Sequence, residues 1–256
     1  ASLLSDVRNT TMHSFAVAPS ATIIETEMIK AISNLAGFPV YGIFTTGGSN
    51  SNEMGFLCAR EDALPGSSVS GLSGQNLRAF ASAEAHYSVD AAANMMGIGT
   101  NALIRIPCID GQMDPLALDE AIIQEKQNGN LPFIILSTAG TTVRGSFDDL
   151  NAVSEIAQKH GIWHHVDAAW GGAALFSNRH SDLLNGIEKA DSFAFDAHKM
   201  IGSSMVCSAF LVHDESILSR TMSHTNKGDY LFDDPNKELS LGRISPQCGR
   251  RADALK

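Results

Sequence analysis

The sequence has no apolar run near the roughly 20 residues that a membrane-spanning helix needs. Its first residues also lack the basic region and the long apolar stretch of a signal peptide. Basic residues are scarce, with 18 lysines and arginines against 28 aspartates and glutamates, so the net charge is −10. A chain of this charge is a poor partner for nucleic acid or an anionic membrane, and we expect it to bind neither.

Cysteine is scarce too, and its placement argues against a disulfide framework. The four cysteines are Cys58, Cys108, Cys207 and Cys248, which lie far apart and form no Cys-x-x-Cys pair. We therefore expect free, buried thiols. Free thiols are typical of a reducing compartment, so the sequence predicts a cytoplasmic protein.

What is present is a regular alternation of strands and helices. The 256 residues, 44% of them hydrophobic, can bury a sizeable core. The clearest buried strand covers residues 132–138, and further strands are predicted at 162–166, 192–196 and 205–212. Helices between such strands predict an α/β fold, with a mostly parallel central sheet and helices on both faces. The Gly/Ser-rich residues 62–78 are typical of an exposed loop.

Two of the predicted strands end in a reactive side chain. Asp167 closes the run that begins at Ile162, and Lys199 follows the run that begins at Ser192. Ligands bind at strand ends in open α/β sheets, so we expect the carboxylate and the amine to face the same ligand. Apolar residues on both sides of Lys199 predict a desolvated amine, which stays neutral and can condense with a carbonyl group.

Residues 45–52, Thr-Thr-Gly-Gly-Ser-Asn-Ser-Asn, follow a strand and open a helix predicted at about 50–60. Backbone N–H groups at such a turn converge on a phosphate, and Ser49 and Ser51 add hydroxyl donors. The alternative is an ordinary strand-to-helix turn with a serine or asparagine cap. No Gly-Lys-Ser/Thr follows, so the turn is not a Walker A loop.

Two further segments follow predicted strands. His86 can be a structural histidine, or its flat ring can stack on an aromatic cofactor. Residues 138–148 form a tight loop with two glycines and three threonines, whose hydroxyls we expect at the sheet edge. Asp148 ends this loop and is expected to cap the next helix.

Two motif matches are rejected. Gly97-Ile-Gly99-Thr-Asn-Ala102 fits a dinucleotide fingerprint, but a helix precedes it and a strand follows, so we interpret it as a helix C-cap. His164-His165-x-Asp167 could suggest a metal, yet alternation along a strand puts His164 on the face opposite the other two. No third ligand is evident at a suitable spacing, so no metal site is predicted.

An anion turn, a carboxylate and a reactive lysine are the three parts that a pyridoxal phosphate site requires. Together with their flanking residues, they resemble the group II pyridoxal-phosphate-dependent amino acid decarboxylases. This family includes the glutamate, cysteine sulfinate, aspartate, diaminobutyrate and aromatic amino acid decarboxylases. The matching stretches, in family order, are Thr46-Gly-Gly-Ser-Asn-Ser-Asn52, Ser82-Ala-Glu-Ala-His-Tyr-Ser88, Ala139-Gly-Thr-Thr-Val-Arg-Gly-Ser-Phe-Asp148, His165-Val-Asp-Ala-Ala-Trp-Gly-Gly172, Asp196-Ala-His-Lys199 and Gln247-Cys-Gly-Arg-Arg251.

The resemblance implies the large domain of a fold type I transferase that depends on pyridoxal 5'-phosphate. It implies three catalytic residues: Lys199 would form a Schiff base with the cofactor, Asp167 would pair with the protonated ring nitrogen, and His86 would stack on the ring. Asn50 and Ser51 would hold the phosphate. The cofactor-binding residues implied in this way are Asn50, Ser51, His86, Thr142, Asp167, Ala169, His198 and Lys199.

The chain departs from the family in two respects. Group II enzymes are typically much longer, so we expect a fragment in which residues 1–213 are the cofactor-binding large domain. Residues 214–256 would be a polar connection toward a C-terminal small domain that is missing. Some family members also carry Asn-Pro-His-Lys where this chain has Asp196-Ala-His-Lys199, so no phosphate contact is carried over to Asp196.

The resemblance implies decarboxylation of an L-amino acid to the amine and CO2. The Gln-Cys-Gly-Arg-Arg stretch is closest to the glutamate and cysteine sulfinate branch, which favours an acidic substrate such as glutamate, aspartate or cysteine sulfinate. Active sites of this family form between two subunits, so a homodimer is expected. Two alternatives stay open: aminotransferase or lyase chemistry on the same scaffold, and a truncated chain that binds the cofactor without turnover.

Overall fold

The computed structural model describes Leu3, Val7 and residues 9–39, 41–222, 230–232 and 235–256. Its α-helices are α1 (Pro19–Ala36), α2 (Gly48–Ala63), α3 (Ser67–Ser70), α4 (Ser88–Met95), α5 (Pro115–Gln127), α6 (Leu150–His160) and α7 (Glu215–Thr221). Its strands are β1 (Gly42–Thr45), β2 (Leu77–Ser82), β3 (Leu103–Ile106), β4 (Cys108–Ile109), β5 (Gln112–Met113), β6 (Leu131–Thr138), β7 (Trp163–Ala168), β8 (Ser192–Asp196) and β9 (Ser208–Val212). Short 3-10 helices cover Thr100–Ala102, Gly171–Phe176, Ser181–Leu184, Ile187–Lys189, Lys237–Leu239, Leu241–Ile244 and Asp253–Leu255.

The central sheet has the strand order β1-β9-β8-β7-β6-β2-β3. Strands β3, β2, β6, β7 and β8 are parallel neighbours, whereas β9 runs antiparallel to both β8 and β1. Strands β4 and β5 form a separate hairpin. The predicted mostly parallel sheet is therefore confirmed, and β9 is its reversed strand.

Helices cover both faces of the sheet, as the sequence predicted. On one face α2, α4 and α7 share a core that includes Phe56 and Val89. On the other face α1, α5 and α6 bury residues such as Ile32 and Leu118. Burial on both faces favours strands that are apolar over most of their length, as β6 is up to Leu136. Within the described ranges, no helix combines the length and the apolar character that crossing a membrane requires.

The predicted exposed loop at 62–78 is only partly correct. It contains the end of α2, the single turn α3 and the start of β2. The Glu61 carboxylate organises this stretch, because it accepts hydrogen bonds from the Gly66 amide at 2.7 Å, the Ser67 hydroxyl at 3.0 Å and the Ser68 amide at 3.0 Å. Its Gly/Ser-rich composition indicated an exposed loop, but one buried carboxylate accepts enough hydrogen bonds to order part of it.

The prediction that Asp148 caps the next helix is wrong. The neighbouring Asp149 is the N-cap of α6, and its carboxylate accepts from the Ala152 amide at 3.1 Å. Asp148 is buried instead and accepts from the amides of Met113 and Thr138, each at 2.7 Å. Burial raises the pKa of Asp148. This carboxylate therefore ties the β4–β5 hairpin to the end of β6.

The described part of residues 214–256 packs on the sheet domain. Helix α7 places Ile217 and Leu218 in the core that α2 also borders. Residues 223–229 and 233–234 belong to the same predicted connection but lie outside the described residues. The predicted boundary at residue 213 and the small domain beyond it stay predictions.

Arg250 joins the two ends of the described chain through a buried ion pair. Its guanidinium pairs with the carboxylate of Glu25 on α1. It also donates to the carbonyl oxygens of Met12 and Phe44, each at 3.2 Å. Both charged side chains are almost completely buried, so neither can be left without its partner.

We expect the change Arg250→Met to lower the free energy of unfolding by about 3–5 kcal/mol, because it leaves the buried Glu25 carboxylate unpaired. Glu27→Ala is the control, since Glu27 forms an exposed pair with Lys30 at 3.9 Å. Its effect should stay below about 1 kcal/mol. Urea unfolding measures both, and equal effects would contradict the importance of the buried pair.

Candidate active site

The carboxyl ends of β1, β2, β6, β7 and β8 meet at one edge of the sheet, where they surround a cavity of about 300 Å³. That size lies at the lower end of the range for small-molecule sites. Of the residues that the resemblance implied, the cavity is lined by His86, Thr142, Asp167, Ala169, His198 and Lys199. The other lining residues are Thr46, Gly47, Gly48, Ser49, Asn52, Ser88, Thr138, Gly140, Trp170, Asp196, Met205 and Val206.

Asp167 lies near the end of β7 with its carboxylate toward the cavity, and only 7% of the residue is exposed. Its Oδ1 accepts from the Ala169 amide at 3.1 Å, and its Oδ2 accepts from Nδ2 of Asn52 at 2.9 Å. Two N–H donors offset part of the cost of burying a carboxylate. The arrangement leaves acceptor capacity for a proton donor in the cavity.

Asn52 is a site residue that the sequence reasoning did not single out. It belongs to a quoted motif, but only the helical phase of α2 shows that its amide reaches Asp167. Asn52 lies one turn beyond Gly48, on the side of α2 that faces β7. An asparagine one helical turn after an anion turn is the signal that could have found it.

Lys199 reaches the cavity, but the prediction of a desolvated amine is wrong. Its side chain is 35% exposed, and Nζ lies 3.1 Å from Oδ2 of the buried Asp196. The same oxygen lies 3.7 Å from Nε2 of His198. The neighbouring apolar residues misled the prediction, because Met200 and Ile201 are themselves exposed. The Lys199 amine therefore forms an ion pair with Asp196 at the open end of the cavity.

The turn between β1 and α2 has the geometry of an anion site. Gly47 is the N-cap, with a φ of 133° that residues with a side chain rarely adopt. A Cβ on Gly48 would lie 2.7 Å from Oδ2 of Asp196 and 3.0 Å from Cβ of Ala169, so the helix start is packed directly on the cavity wall. The first amides of α2 and the Ser49 hydroxyl remain for an anion.

Asn50 and Ser51 are not among the residues that line the cavity, so their role in holding a phosphate stays a prediction. The Ser51 hydroxyl is buried 2.7 Å from that of Thr45, and its amide donates to the Gly47 carbonyl at 3.1 Å. The Asn50 side chain accepts from Nε2 of Gln247 at 3.4 Å. Their phase on the first helical turn directs both side chains away, so a phosphate contact from Asn50 would have to use its backbone N–H.

His86 lines the cavity just after β2. Its Nδ1 accepts from the Ser88 amide at 3.2 Å, and its ring centroid lies 4.3 Å from that of Tyr87. Arg105 supports this turn by donating to the Ser82 carbonyl at 3.0 Å while it pairs with Asp90. The ring is thus held by local contacts, as a structural histidine is, and the residue also lines the cavity. Its stacking on a cofactor stays a prediction.

His164 and His165 lie on opposite faces of β7, as strand alternation predicted. His164 contacts Ser137 and Ser154, whereas His165 contacts Asn52 and Ser192. Burial lowers the pKa of His164 to about 3 and that of His165 to about 4, although the nearby Asp167 favours the charged form of His165. Across the described ranges, no group of three or more metal-binding side chains comes together.

Comparison with known proteins identifies the family. The profile of the pyridoxal-dependent decarboxylase conserved domain matches residues 1–256. The chain belongs to the pyridoxal-dependent decarboxylase family. Mouse acidic amino acid decarboxylase GADL1 is 39% identical to this family member over 262 residues, which are 100% of this chain and 48% of that protein. Mouse cysteine sulfinic acid decarboxylase is 38% identical, over 99% of this chain and 52% of that protein.

The fold of this decarboxylase-family chain closely matches that of a solved structure. The crystal structure of mouse CSAD in apo form matches with a TM-score of 0.94 and 36% identity, over 99% of this chain and 54% of that chain. The predicted family and fold type I architecture are therefore confirmed. The chain spans about half the length of the curated relatives it matches.

The buried histidines predict how the stability of this family member depends on pH. An unfolded histidine has a pKa of about 6.5, so between about pH 6.5 and pH 4 the unfolded chain binds protons that the folded chain does not. The free energy of unfolding should fall as the pH falls through this range. Urea unfolding should show that the free energy of unfolding falls less steeply with falling pH in His164→Gln than in the wild-type chain. Replacing the exposed His180 should leave the wild-type slope unchanged. Equal slopes in all three proteins would contradict the burial argument.

Proposed function

We propose that this chain binds pyridoxal 5'-phosphate and takes part in the decarboxylation of an acidic L-amino acid to the amine and CO2. The proposal is carried by one observation. The carboxylate of Asp167, the amine of Lys199 and the anion turn at Gly47–Ser49 line one cavity, although they come from three distant parts of the chain. These are the three groups that the cofactor requires.

Two buried polar atoms of the cavity wall support the fit of this cofactor. Thr138 Oγ1 and Asp196 Oδ1 are buried without a hydrogen-bond partner among the described residues. Buried polar atoms are rarely left unsatisfied, and both atoms belong to residues that line the cavity, so a polar occupant within reach would satisfy them. A phosphorylated, hydroxylated pyridine is an occupant with both donors and acceptors.

Pyridoxal phosphate, when bound, supplies the electron sink for the bond that breaks at the amino acid Cα. The protein residues supply the rest. Asp167 would keep a proton on the ring nitrogen, since its carboxylate faces the cavity as an acceptor. The first amides of α2 and the Ser49 hydroxyl would bind the phosphate. Fixing both ends of the ring orients the scissile bond.

Lys199 would hold the carbonyl end of the cofactor through its amine. The ion pair with Asp196 holds this amine inside the cavity mouth. Asp196 also adds negative charge beside the anion turn, where some family members carry an asparagine. The positive end of the helix α2 dipole and Lys199 would have to balance that charge. His86, Thr142 and Ala169 would surround the ring.

The acidic substrate class is supported by the similar proteins rather than by a contact in the cavity. Their names specify cysteine sulfinic acid and acidic amino acids as substrates. The Gln-Cys-Gly-Arg-Arg stretch points to the same branch. Within it, Gln247 donates to the Thr46 hydroxyl at 3.2 Å, at the edge of the anion turn. Glutamate, aspartate and cysteine sulfinate are therefore the substrates to test first.

The four cysteines are free thiols, which supports a cytoplasmic location. The expectation that all four are buried is wrong, because Cys248 is exposed and Cys108 is half-buried.

The cavity rim supports a homodimer. Trp170, Met200, Ile201 and Met205 are exposed, and Trp170 and Met205 also line the cavity. Exposed apolar side chains grouped around a site are typical of an interface.

We expect sedimentation velocity to give twice the mass of one chain, and Met200→Glu to shift the protein toward monomer. Leu116→Glu, at an exposed position on α5, is the control. A wild-type monomer at every concentration would contradict the dimer.

Lys199→Ala tests the proposed chemistry. We expect pyridoxal phosphate to produce a long-wavelength absorbance band with the wild-type chain and with Lys189→Ala, which removes an exposed lysine, but not with Lys199→Ala. CO2 release from the three acidic amino acids should exceed release from an aromatic one, and should fall to background in Lys199→Ala.

Other results would point elsewhere. A band that persists in Lys199→Ala would contradict the assignment of the lysine. A keto acid in place of CO2 would indicate aminotransferase chemistry. A band without any turnover would indicate a chain that binds the cofactor but does not act alone.

A further inference from the structure

We propose that Asn52 and His165 are positioning residues that orient the Asp167 carboxylate toward the ring nitrogen of the cofactor. This inference rests on the proposed function and extends it to residues that do not touch the reacting atoms. It arises from a continuous line of hydrogen bonds that begins at Trp163, passes through Ser192, His165 and Asn52, and ends at Asp167.

The contacts are short and buried. Asn52 Nδ2 donates to Asp167 Oδ2 at 2.9 Å and to the Ser88 hydroxyl at 2.8 Å. Asn52 Oδ1 lies 3.0 Å from His165 Nε2. Asn52 is 1% exposed and His165 is 0% exposed, so water does not compete for these groups. A buried network in which every member has a partner holds its geometry well.

The direction of the protons follows from the group at each end. The Trp163 indole is a donor only, and its Nε1 donates to the Ser192 hydroxyl at 2.9 Å. The hydroxyl hydrogen is then free to donate to His165 Nδ1, 2.8 Å away. At the other end the Asp167 carboxylate only accepts, so Asn52 faces it with Nδ2 and faces His165 with Oδ1, and His165 Nε2 carries the proton that this oxygen accepts.

The neutral state of His165 agrees with this direction. Burial lowers the pKa of His165 to about 4, so the ring has one donor and one acceptor at neutral pH. A single N–H on Nε2 fixes which end of the Asn52 amide faces the carboxylate. The reversed amide would bring its oxygen against Asp167, where two acceptors repel each other.

Close packing prevents the His165 ring from moving. A Cβ on Gly55 of α2 would lie 2.9 Å from both Cγ and Nδ1 of His165, so the helix backbone rests directly on the ring. Asn52 and Gly55 are three residues apart and therefore lie on the same side of α2. The contact that fixes the ring also sets the height of the Asn52 amide above β7. Functional groups need this degree of support to stay within a fraction of an ångström.

The test compares binding of pyridoxal phosphate with binding of an analogue that has a carbon in place of the ring nitrogen. Only the natural cofactor can use a correctly placed Asp167 carboxylate. We expect the wild-type chain to prefer pyridoxal phosphate, and Asn52→Leu and His165→Leu to lose about tenfold of that preference, the size expected for a hydrogen bond to a charged group. His165→Gln, whose amide can still donate to Asn52, should restore part of it.

His164→Leu is the matched control. His164 is as buried as His165 and also contacts two hydroxyls, but on the other face of β7. It should lose stability as the His165 variant does while keeping the wild-type preference for the ring nitrogen. A ratio of affinities that is unchanged in folded Asn52→Leu and His165→Leu proteins would overturn the proposal.

A second measurement needs no cofactor. Nitrogen-15 NMR of the free chain should show His165 with its proton on Nε2 and no titration between about pH 5 and pH 8. A proton on Nδ1 would overturn the proposed direction of the hydrogen bonds, whether or not the chain binds a cofactor. If the wild-type chain bound neither ring compound, the proposed function would fail, and this measurement would still decide the hydrogen-bond direction.

Discussion

The contact between helix α2 and strand β7 is the constraint on which the rest of the site depends. Gly55 allows the helix backbone to rest on the His165 ring. Because the helix is rigid, this one contact also places its N-terminus at Gly48 against Ala169, and Asn52 against Asp167. One helix thus presents an anion turn and an amide donor to the same cavity. A larger residue at position 55 would displace both groups together.

The two buried carboxylates of the site, Asp167 and Asp196, have different partners. Asp167 receives only neutral N–H donors, so its negative charge stays available to a ligand. Asp196, which is equally buried, is neutralised locally by the Lys199 amine. Two carboxylates of the same residue type therefore have different tasks, and the difference comes from their neighbours rather than from their exposure.

The edge of the sheet was predictable from the sequence, because parallel strands end on the same side and apolar runs mark where they end. That reasoning placed Asp167 and Lys199 in one cavity without any knowledge of helix positions. The phase of each helix was not predictable in the same way. Asn52 and Asp167 are 115 positions apart, and only the packing of α2 on β7 brings them within 2.9 Å. The same limit hid the direction of the Asn50 and Ser51 side chains on the first turn of α2. The cap of α6 was missed for another reason, because two adjacent aspartates, Asp148 and Asp149, precede that helix.

Strand β9, which lies between β1 and β8, sets a distance across the site. Ser208 of this strand pairs with Thr45 on one side and with Asp196 on the other. Neighbouring strands are about 4.8 Å apart, so the anion turn after β1 and the lysine loop after β8 begin about 10 Å from each other. Hydrogen bonds of the sheet keep that separation constant. The side chains then narrow this gap, because Oδ2 of Asp196 would lie 2.7 Å from a Cβ on Gly48 and lies 3.1 Å from the Lys199 amine. The sheet therefore fixes where the two loops begin, and the side chains fix the spacing that a ligand meets.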